Sequence, residues 1–190
     1  MPALILASAS PQRSQLLKDL GASFTIVPSS VDEASVVEAD PAKRAVLLAR
    51  LKAQDVAAQH QSSIIIGCDT LVVSADGSLF EKPVDATDAR RMLKEHSGKT
   101  CVVHSGLCVI DASGTVYEGL SSSRVTFAEM DEKQMDWWIA SNHWKDRSGG
   151  FQIDGPGQLM IEHIEGDWTS IVGLPVFLLG QLLKKTGLQI

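Results

Sequence analysis

Continuous apolar segments alternate with amphipathic segments along the chain, and this pattern predicts an α/β fold. Apolar runs of strand length, rich in Val, Ile and Leu, indicate buried strands. Apolar residues spaced three and four apart indicate helices that pack on one face. Strands are predicted at residues 3–7, 24–27, 64–73, 100–111, 115–127, 160–164 and 169–172. Helices are predicted at residues 11–20, 41–59, 85–95 and 131–141, with a last one after Pro175 that reaches Lys185.

Local signals mark several element boundaries. Ser10 followed by Pro11 is typical of a helix start, and Gly21 stops that helix. The turn at residues 111–114 predicts that the two strands around it are antiparallel neighbours. No repeat, low-complexity tract or long linker interrupts the series, so one domain over residues 1–190 is expected.

Composition narrows the class of protein. The chain has 190 residues, of which 44% are hydrophobic and 21% charged, which is typical of a globular protein with a sizeable core. Its net charge of −6 argues against non-specific binding to nucleic acid or anionic membranes, but leaves room for a local basic pocket. Neither a transmembrane run nor a signal peptide is recognisable, and Cys68, Cys101 and Cys108 lie in strand-like runs, which predicts buried reduced thiols in a cytosolic protein.

The first candidate site is the loop between the first strand and the first helix. Ser8 and Ser10 are small hydroxyl residues that let the backbone approach a ligand. The start of the helix offers free N–H groups and a positive dipole end, which suit a phosphate. Arg13 can add a charge-assisted contact. The alternative is an ordinary capped strand-to-helix loop.

The second candidate is the pair Asp69 and Thr70 within the apolar strand at residues 64–73. A carboxylate in such a run is costly unless it has a partner or a metal. Asp69 is therefore a candidate metal ligand or general base for water. The alternative is a carboxylate at the end of a strand that faces solvent.

Other charged residues gain meaning only in combination. Lys82 precedes Pro83 and projects from a loop, but it also fits a solvated surface lysine. Lys52 lies close to the inner face of a helix, where it fits a lysine that extends its ammonium to solvent. Asp32 and Glu33 form a carboxylate pair suited to magnesium, although such pairs are usually surface features.

A glycine-rich segment and four tryptophans complete the candidates. Residues 148–157 could close a backbone over a flat ligand, or form a long turn. This segment has neither the basic residue of a phosphate-binding P-loop nor the spacing of a dinucleotide fingerprint. The four tryptophans are expected in the core or at a dimer interface. They are not expected to stack on bases, because no basic residues are interleaved with them: Trp137, Trp138, Trp144 and Trp168.

Taken in order, the motifs are LILASASPQR, VDE, LKA, IIGCDTLVV, EKP, SGKT, GGFQIDGPG and IEGDWTSIVGLP. This series resembles the Maf family of nucleoside triphosphate pyrophosphatases over nearly the whole chain. The resemblance implies a mixed, twisted sheet flanked by helices, with two lobes around a cleft, similar to the inosine-triphosphate pyrophosphatases. It implies cleavage of a nucleoside triphosphate between the α- and β-phosphates, a divalent cation (Mg²⁺ or Mn²⁺), a cytoplasmic location and a homodimer.

The resemblance also assigns roles to single residues. Asp69 matches the family's proton acceptor for the attacking water, and Asp69 and Glu33 match carboxylates linked to the metal. Lys52 and Lys82 match lysines that neutralise phosphate charge. Three residues match the phosphate-binding loop: Ser8, Ser10 and Arg13. These roles agree with the chemistry. Attack by water on a triphosphate requires that the negative charge of the phosphates is screened and that the water molecule is oriented.

Three positions concern the choice of nucleotide base, and they match different subgroups of the family. Thr70 matches family members that prefer dTTP and UTP, which is the leading expectation. Asp154 stands where those members have Gln, and it is nearer the Glu of members that prefer 7-methyl-GTP. An acidic side chain there could accept from a guanine edge or pair with a methylated base. Gln12 matches neither group, which have Arg or Trp at that position.

Two non-enzymatic classes stay open at this point. One is a nucleotide-binding regulator of cell division, which would not need a carboxylate at Asp69. The other is an interaction protein that docks partners on the tryptophan-containing helix at residues 131–140.

Overall fold

The computed structural model describes residues 2–188 of the chain. Its strands are β1 (Leu4–Leu6), β2 (Thr25–Ile26), β3 (Ile64–Val73), β4 (Leu79–Phe80), β5 (Thr100–Ile110), β6 (Val116–Phe127) and β7 (Ile161–Glu165). Its α-helices are α1 (Pro11–Asp19), α2 (Pro41–Ala57), α3 (Ala86–His96), α4 (Glu132–Ser141), α5 (Trp168–Val172) and α6 (Val176–Lys185). Short 3₁₀ turns cover Glu33–Ser35, Ser148–Gly150 and Gly155–Met160.

Within the described residues the strands form one mixed sheet in the order β2-β1-β3-β5-β6-β7, and β4 pairs with β3. Strands β1, β2 and β3 run parallel, whereas β3, β5, β6 and β7 form an antiparallel series. Helices pack against this sheet, so the predicted α/β class with a mixed sheet is confirmed.

One edge of β3 is only partly covered. β5 pairs with β3 from residue 65 to residue 73. On the opposite edge β1 pairs at residues 64–66 and β4 pairs at residues 72–73. Between them, at residues 67–71, no strand in the described part of the chain covers this edge. The sheet therefore opens beside Asp69 and Thr70.

The hydrophobic core divides at the same place. Ile64, Ile66 and Cys68 pack in one cluster with β1, α1 and α6, and Ile65 packs in a second cluster with β1 and α2. Val72, further along the strand, packs with side chains of α3 and α4, including Leu93. The expected two lobes on either side of a cleft are thus present, and β3 runs from one lobe into the other.

Helix α2 crosses β3 and β5 at unusually short range. An added Cβ at Gly67 would lie 2.2 Å from the carbonyl oxygen of Ala49, and one at Gly106 would lie 2.2 Å from that of Ala45. Neither contact is possible for a real side chain, so glycine at both positions lets the helix rest on the sheet backbone. The facing helix residues are small and buried, as Ala45, Ala49 and Ala53 show.

The predicted helix starts are confirmed. The Ser10 side chain accepts from the backbone N–H of Arg13, with Pro11 in the first turn. Asp85 caps α3 through the N–H of Asp88. Asp131 caps α4 in a reciprocal pair with Gln134. Each cap satisfies N–H groups that the helix itself leaves unpaired.

Two strand predictions need correction. Residues 169–172 belong to helix α5, because Asp167 accepts from the backbone N–H and the hydroxyl of Thr169 and starts a helical turn. Gly173, at φ 127°, then ends that helix. The strand predicted at residues 24–27 is limited to Thr25–Ile26, and β4 was not predicted because two residues carry no periodicity.

The cysteines are buried and free, as predicted. Burial raises the pKa of the Cys101 and Cys108 thiols to about 12, and it also raises the pKa of Cys68. Among the tryptophans, Trp138 and Trp144 are buried, whereas Trp137 and Trp168 are about two-fifths exposed. No helix in the described part of the chain combines the length and apolar character needed to cross a bilayer.

His96 lies inside an aromatic cluster beneath the glycine-rich segment. Its ring stacks on Phe127 at 4.5 Å and meets Phe80 and Phe151 edge-on. Its Nε2 lies 3.0 Å from the carbonyl oxygen of Gly149, so the neutral ring donates that hydrogen bond. Burial lowers the pKa of His96 from 6.5 to about 4. The neutral imidazole is therefore part of the support of this segment.

We predict that His96 makes the fold sensitive to acid. Between pH 6.5 and 4 the unfolded chain binds a proton on His96 that the folded chain excludes. The free energy of unfolding therefore decreases as the pH is lowered through this range. The His96→Phe variant has no group at this position that titrates, so it lacks this pH dependence. Its stability deficit at pH 7.5, about 1–3 kcal/mol from the unpaired Gly149 carbonyl, should shrink by about 2 kcal/mol at pH 4.5 in urea titrations. A deficit independent of pH would contradict the assignment.

We predict that Gly67→Ala destabilises the protein through the contact of α2 with β3. The new methyl group would overlap the Ala49 carbonyl, and moving the helix should cost about 1–3 kcal/mol or more in urea unfolding. Gly180→Ala is the matched control, because Gly180 lies in α6 with nothing within 4 Å of an added Cβ. That variant should be neutral or stabilised by up to about 1 kcal/mol. Equal effects at both glycines would argue against the tight packing.

Candidate active site

A cleft of about 1020 Å³ opens where the sheet lacks a strand beside β3. Every residue proposed for the site from the sequence lines it. They are Ser8, Ser10, Gln12, Arg13, Glu33, Lys52, Asp69, Thr70, Lys82 and Asp154. Residues that are distant in the chain therefore meet at one place, and the sequence-predicted set is a spatial cluster.

The loop between β1 and α1 forms one wall of the cleft. The Ser8 hydroxyl oxygen accepts from the backbone N–H of Ser10 at 3.2 Å, which curls the loop. The Ser10 side chain accepts from the backbone N–H of Arg13 and donates to Oε1 of Gln12. Hydroxyl groups and the helix start thus face the cleft, as a phosphate site requires.

Arg13 braces this wall against the rest of the protein. Its Nε donates to the Gly173 carbonyl at 2.8 Å, its Nη1 to Ser8 Oγ at 3.0 Å, and its Nη2 to Thr70 Oγ1 at 3.3 Å. The guanidinium therefore fixes the loop relative to β3 and α5. Its positive charge lies beside the loop, so it also favours an anion there.

Lys52 joins two carboxylates at the centre of the cleft. Its Nζ lies 2.6 Å from Asp69 Oδ1 and 2.8 Å from Glu33 Oε1. The Asp69 and Lys52 side chains are buried, whereas Glu33 is half exposed. The lysine reaches Asp69 because α2 rests directly on β3, and its charge compensates the burial of the aspartate.

The second oxygen of Asp69, Oδ2, differs from the first in its surroundings. Oδ2 is buried and accepts no hydrogen bond from residues 2–188. An unpaired buried carboxylate oxygen is costly, and a water molecule or a cation that reached it would relieve that cost. Both alternatives drawn from the sequence, general base and metal ligand, are compatible with this oxygen. A solvent-facing strand end is not, since Asp69 is 4% exposed.

Thr70 belongs to a chain of hydroxyl groups. Its Oγ1 lies 2.8 Å from Ser105 Oγ, which donates to the Ser170 carbonyl at 2.6 Å. Thr70 also receives the Arg13 contact at 3.3 Å. The threonine is consequently held in one orientation at the cleft wall, with its methyl group and hydroxyl fixed relative to Asp69.

The glycine-rich segment forms the wall of the other lobe. Trp138 Nε1 donates to the Gly150 carbonyl at 2.9 Å, and Gly149 N donates to the Glu81 carbonyl at 3.0 Å. These bonds fix the segment that carries Asp154 and link it to the loop of Lys82. Lys82 is exposed at the rim, and Asp154 is half-buried. Lys99, which the SGKT motif contains, does not line the cleft.

A family model described as Maf-like protein matches residues 3–186. The chain belongs to the Maf family. Three Maf relatives named dTTP/UTP pyrophosphatase cover nearly the whole chain. That of Deinococcus radiodurans is 41% identical over 99% of this chain and 95% of its own length. Those of Treponema denticola and Pyrococcus furiosus are 39% and 38% identical, over 100% and 97% of this chain and 100% and 95% of their own lengths.

A solved structure of a nucleoside-triphosphatase, dITP/XTP pyrophosphatase, from Mycobacterium abscessus is also similar. It is 14% identical and has a TM-score of 0.43, over 67% of this chain and 75% of that chain.

The cleft of this Maf chain contains charged residues that the sequence did not single out. Arg44, Lys145, Asp146 and Arg147 line it as well. No motif marks them, because each is brought to the cleft by the packing of its element. Only Arg44 had an indirect signal, since it lies two helical turns before Lys52 on α2.

Positive and negative side chains balance in the cleft. Within residues 2–188 the cationic ones are Arg13, Arg44, Lys52, Lys82, Lys145 and Arg147. The anionic ones are Asp32, Glu33, Asp69, Glu81, Asp146 and Asp154. Six charges of each sign cancel formally, so a polyanionic ligand would gain little from the net charge of the walls. Any further positive charge that neutralises such a ligand would have to be supplied from outside the cleft walls.

We predict that Arg13→Lys weakens the fold while it retains the charge. A lysine cannot donate to Gly173, Ser8 and Thr70 together, so buried acceptors lose their partners. The expected loss in the free energy of unfolding is about 1–3 kcal/mol in urea titrations. Arg90→Lys, which alters exposed ion pairs with Glu132 and Asp136, should change it by less than about 1 kcal/mol. Equal effects would show that Arg13 braces nothing.

Proposed function

We propose that the protein is a nucleoside triphosphate pyrophosphatase that hydrolyses the bond between the α- and β-phosphates of dTTP and UTP. The observation that carries the proposal is the unpaired Oδ2 of buried Asp69, in a cleft whose other lining residues suit phosphate. The names of the relatives, all dTTP/UTP pyrophosphatase, favour the same reaction and the same bases.

In the proposed reaction, Asp69 Oδ2 accepts a hydrogen bond from a water molecule and takes its proton as the water attacks the α-phosphorus. The pyrophosphate leaves as the water oxygen bonds to phosphorus, and the products are a nucleoside monophosphate and pyrophosphate. Lys52 holds the other oxygen, Oδ1, at 2.6 Å and thereby orients the carboxylate. The roles of Ser8, Ser10, Arg13 and Lys82 are to hold the phosphates and to screen their charge.

A divalent cation, Mg²⁺ or Mn²⁺, fits the residues present. Asp69 Oδ2 and the nearby Glu33 carboxylate would hold it, since a carboxylate oxygen has two lone pairs and can accept from a water molecule while it contacts a cation. No third aspartate, glutamate, histidine or cysteine completes a ligand set with them among residues 2–188. Magnesium commonly uses one or two carboxylates and takes its other ligands from water and substrate phosphates. The cation would neutralise phosphate charge that the balanced walls leave uncompensated.

Thr70, Gln12 and Asp154 are proposed to select the base. Thr70 and the relatives' names favour dTTP and UTP. Asp154 lines the cleft and its side chain forms no cap of the following turn, so the carboxylate is available to a ligand. This observation favours a 7-methyl-GTP type of activity as the second candidate, since an acid can pair with a positively charged base. The homodimer and the cytoplasmic location implied by the family stay predictions.

The function is tested by pyrophosphate release from a panel of nucleotides: the common NTPs and dNTPs, and 7-methyl-GTP. With Mg²⁺ or Mn²⁺ present, dTTP and UTP should release pyrophosphate fastest, and EDTA should stop the release. Asp69→Asn should lower the rate about 100-fold or more while nucleotide binding persists. Asp136→Asn, on the exposed face of α4, is the matched control and should keep the rate. Binding without release from any nucleotide would favour the regulatory class instead.

We predict that Asp154→Asn changes the choice of base. The amide removes a negative charge that opposes the carbonyl oxygens of a pyrimidine, so the ratio of kcat/KM for UTP to that for 7-methyl-GTP should rise several-fold. The two values are measured on the same protein preparation, which cancels differences in active fraction. An unchanged ratio would exclude Asp154 from base selection.

A further inference from the structure

Arg147 lies in the cleft without using its side chain for the fold. It follows α4, immediately before the glycine-rich turn, and it lines the cleft. Its Nε is buried and donates to no acceptor in residues 2–188. No carboxylate in that part of the chain forms an ion pair with it. An arginine placed in this way retains unused hydrogen-bond donors.

The other two arginines of the cleft are engaged. Arg13 donates to three protein acceptors. Arg44 also has a buried Nε that donates to no acceptor in residues 2–188, but its Nη2 donates to the Glu33 carbonyl at 3.3 Å and lies 4.0 Å from Glu81 Oε1. Arg147 differs from both, because no nitrogen of its guanidinium donates to an acceptor within residues 2–188, which leaves the whole group for a ligand. Leaving a buried donor unpaired is unfavourable, and an anion would relieve that cost.

The position of Arg147 relative to the sheet defines what it can reach. Gly149 N donates to the Glu81 carbonyl at 3.0 Å, so the segment that starts at Arg147 is joined to the loop of Lys82. That loop follows β4, which borders the open edge of β3 at residues 72–73. The loop after β1 borders the same opening from residue 66. Asp69 lies between the two borders.

We propose that Arg147 binds the phosphate chain of the nucleotide from the lobe opposite the β1–α1 loop. The planar guanidinium matches two phosphate oxygens at once, which a lysine does not. Together with Lys82 it forms the second side of a clamp whose first side is the loop of Ser8, Ser10 and Arg13. The proposal rests on the proposed function in taking the ligand to be a phosphate chain.

The experiment measures binding of inorganic tripolyphosphate, with and without Mg²⁺, by calorimetry. Arg147→Gln should weaken binding about 10-fold or more, and Arg147→Lys should weaken it less because the charge is kept. Arg124→Gln is the matched control, since Arg124 lies on β6 outside the cleft and pairs with Glu165. Binding of thymidine, which has no phosphate, should be equal in all four proteins. Melting temperatures confirm that each variant is folded.

Two results would overturn the proposal. One is equal tripolyphosphate affinity in wild type and Arg147→Gln, which includes the case in which neither binds. The other is a loss of thymidine binding in Arg147→Gln, which would place the arginine against the nucleoside. Because this assay needs no catalysis, a wild type that binds tripolyphosphate but cleaves no nucleotide would refute the proposed function alone.

Discussion

Helix α2 meets the backbone of β3 and β5 without intervening side chains, because Gly67 and Gly106 lie where it crosses. Asp69 follows Gly67 on the same face of β3 and pairs with Gly106 on the neighbouring strand. The close approach brings Lys52 within 2.6 Å of that aspartate. With the helix further away, the buried carboxylate would lose its counter-ion, at a cost of about 3–5 kcal/mol. The close packing of α2 on the sheet and the charge compensation of Asp69 therefore depend on each other.

The open edge of β3 explains why the site lies where it does. Two lobes are built on the two ends of one strand, and the loops that leave β1 and β4 border the opening between them. The walls carry balanced charges, so affinity for a polyanion depends on the arrangement of donors rather than on the net charge of the walls. This organisation suits a nucleotide bound across the cleft, with its reacting phosphate at Asp69.

Local chemistry in the sequence was sufficient for much of this description. Caps such as Ser10 and Asp131 act within one turn, and Asp69 was conspicuous as a charge in an apolar strand. The β-branched residues of 169–172 suggested a strand, but the Asp167 cap made a helix. The packing role of Gly67 and the placement of Arg147 in the cleft depend on residues distant in sequence, so no local pattern could reveal them. The resemblance of the motifs grouped the site residues into one proposed site, and the structure places all of them along one cleft.

The proposed reaction requires that a water molecule attacks the α-phosphorus of the nucleotide. Cleavage of UTP or dTTP in ¹⁸O-labelled water, followed by mass spectrometry of both products, tests it most directly. We expect one labelled oxygen in the nucleoside monophosphate and none in the pyrophosphate. Label in the pyrophosphate, or release of labelled orthophosphate in its place, would show attack at another phosphorus and would contradict the proposed reaction.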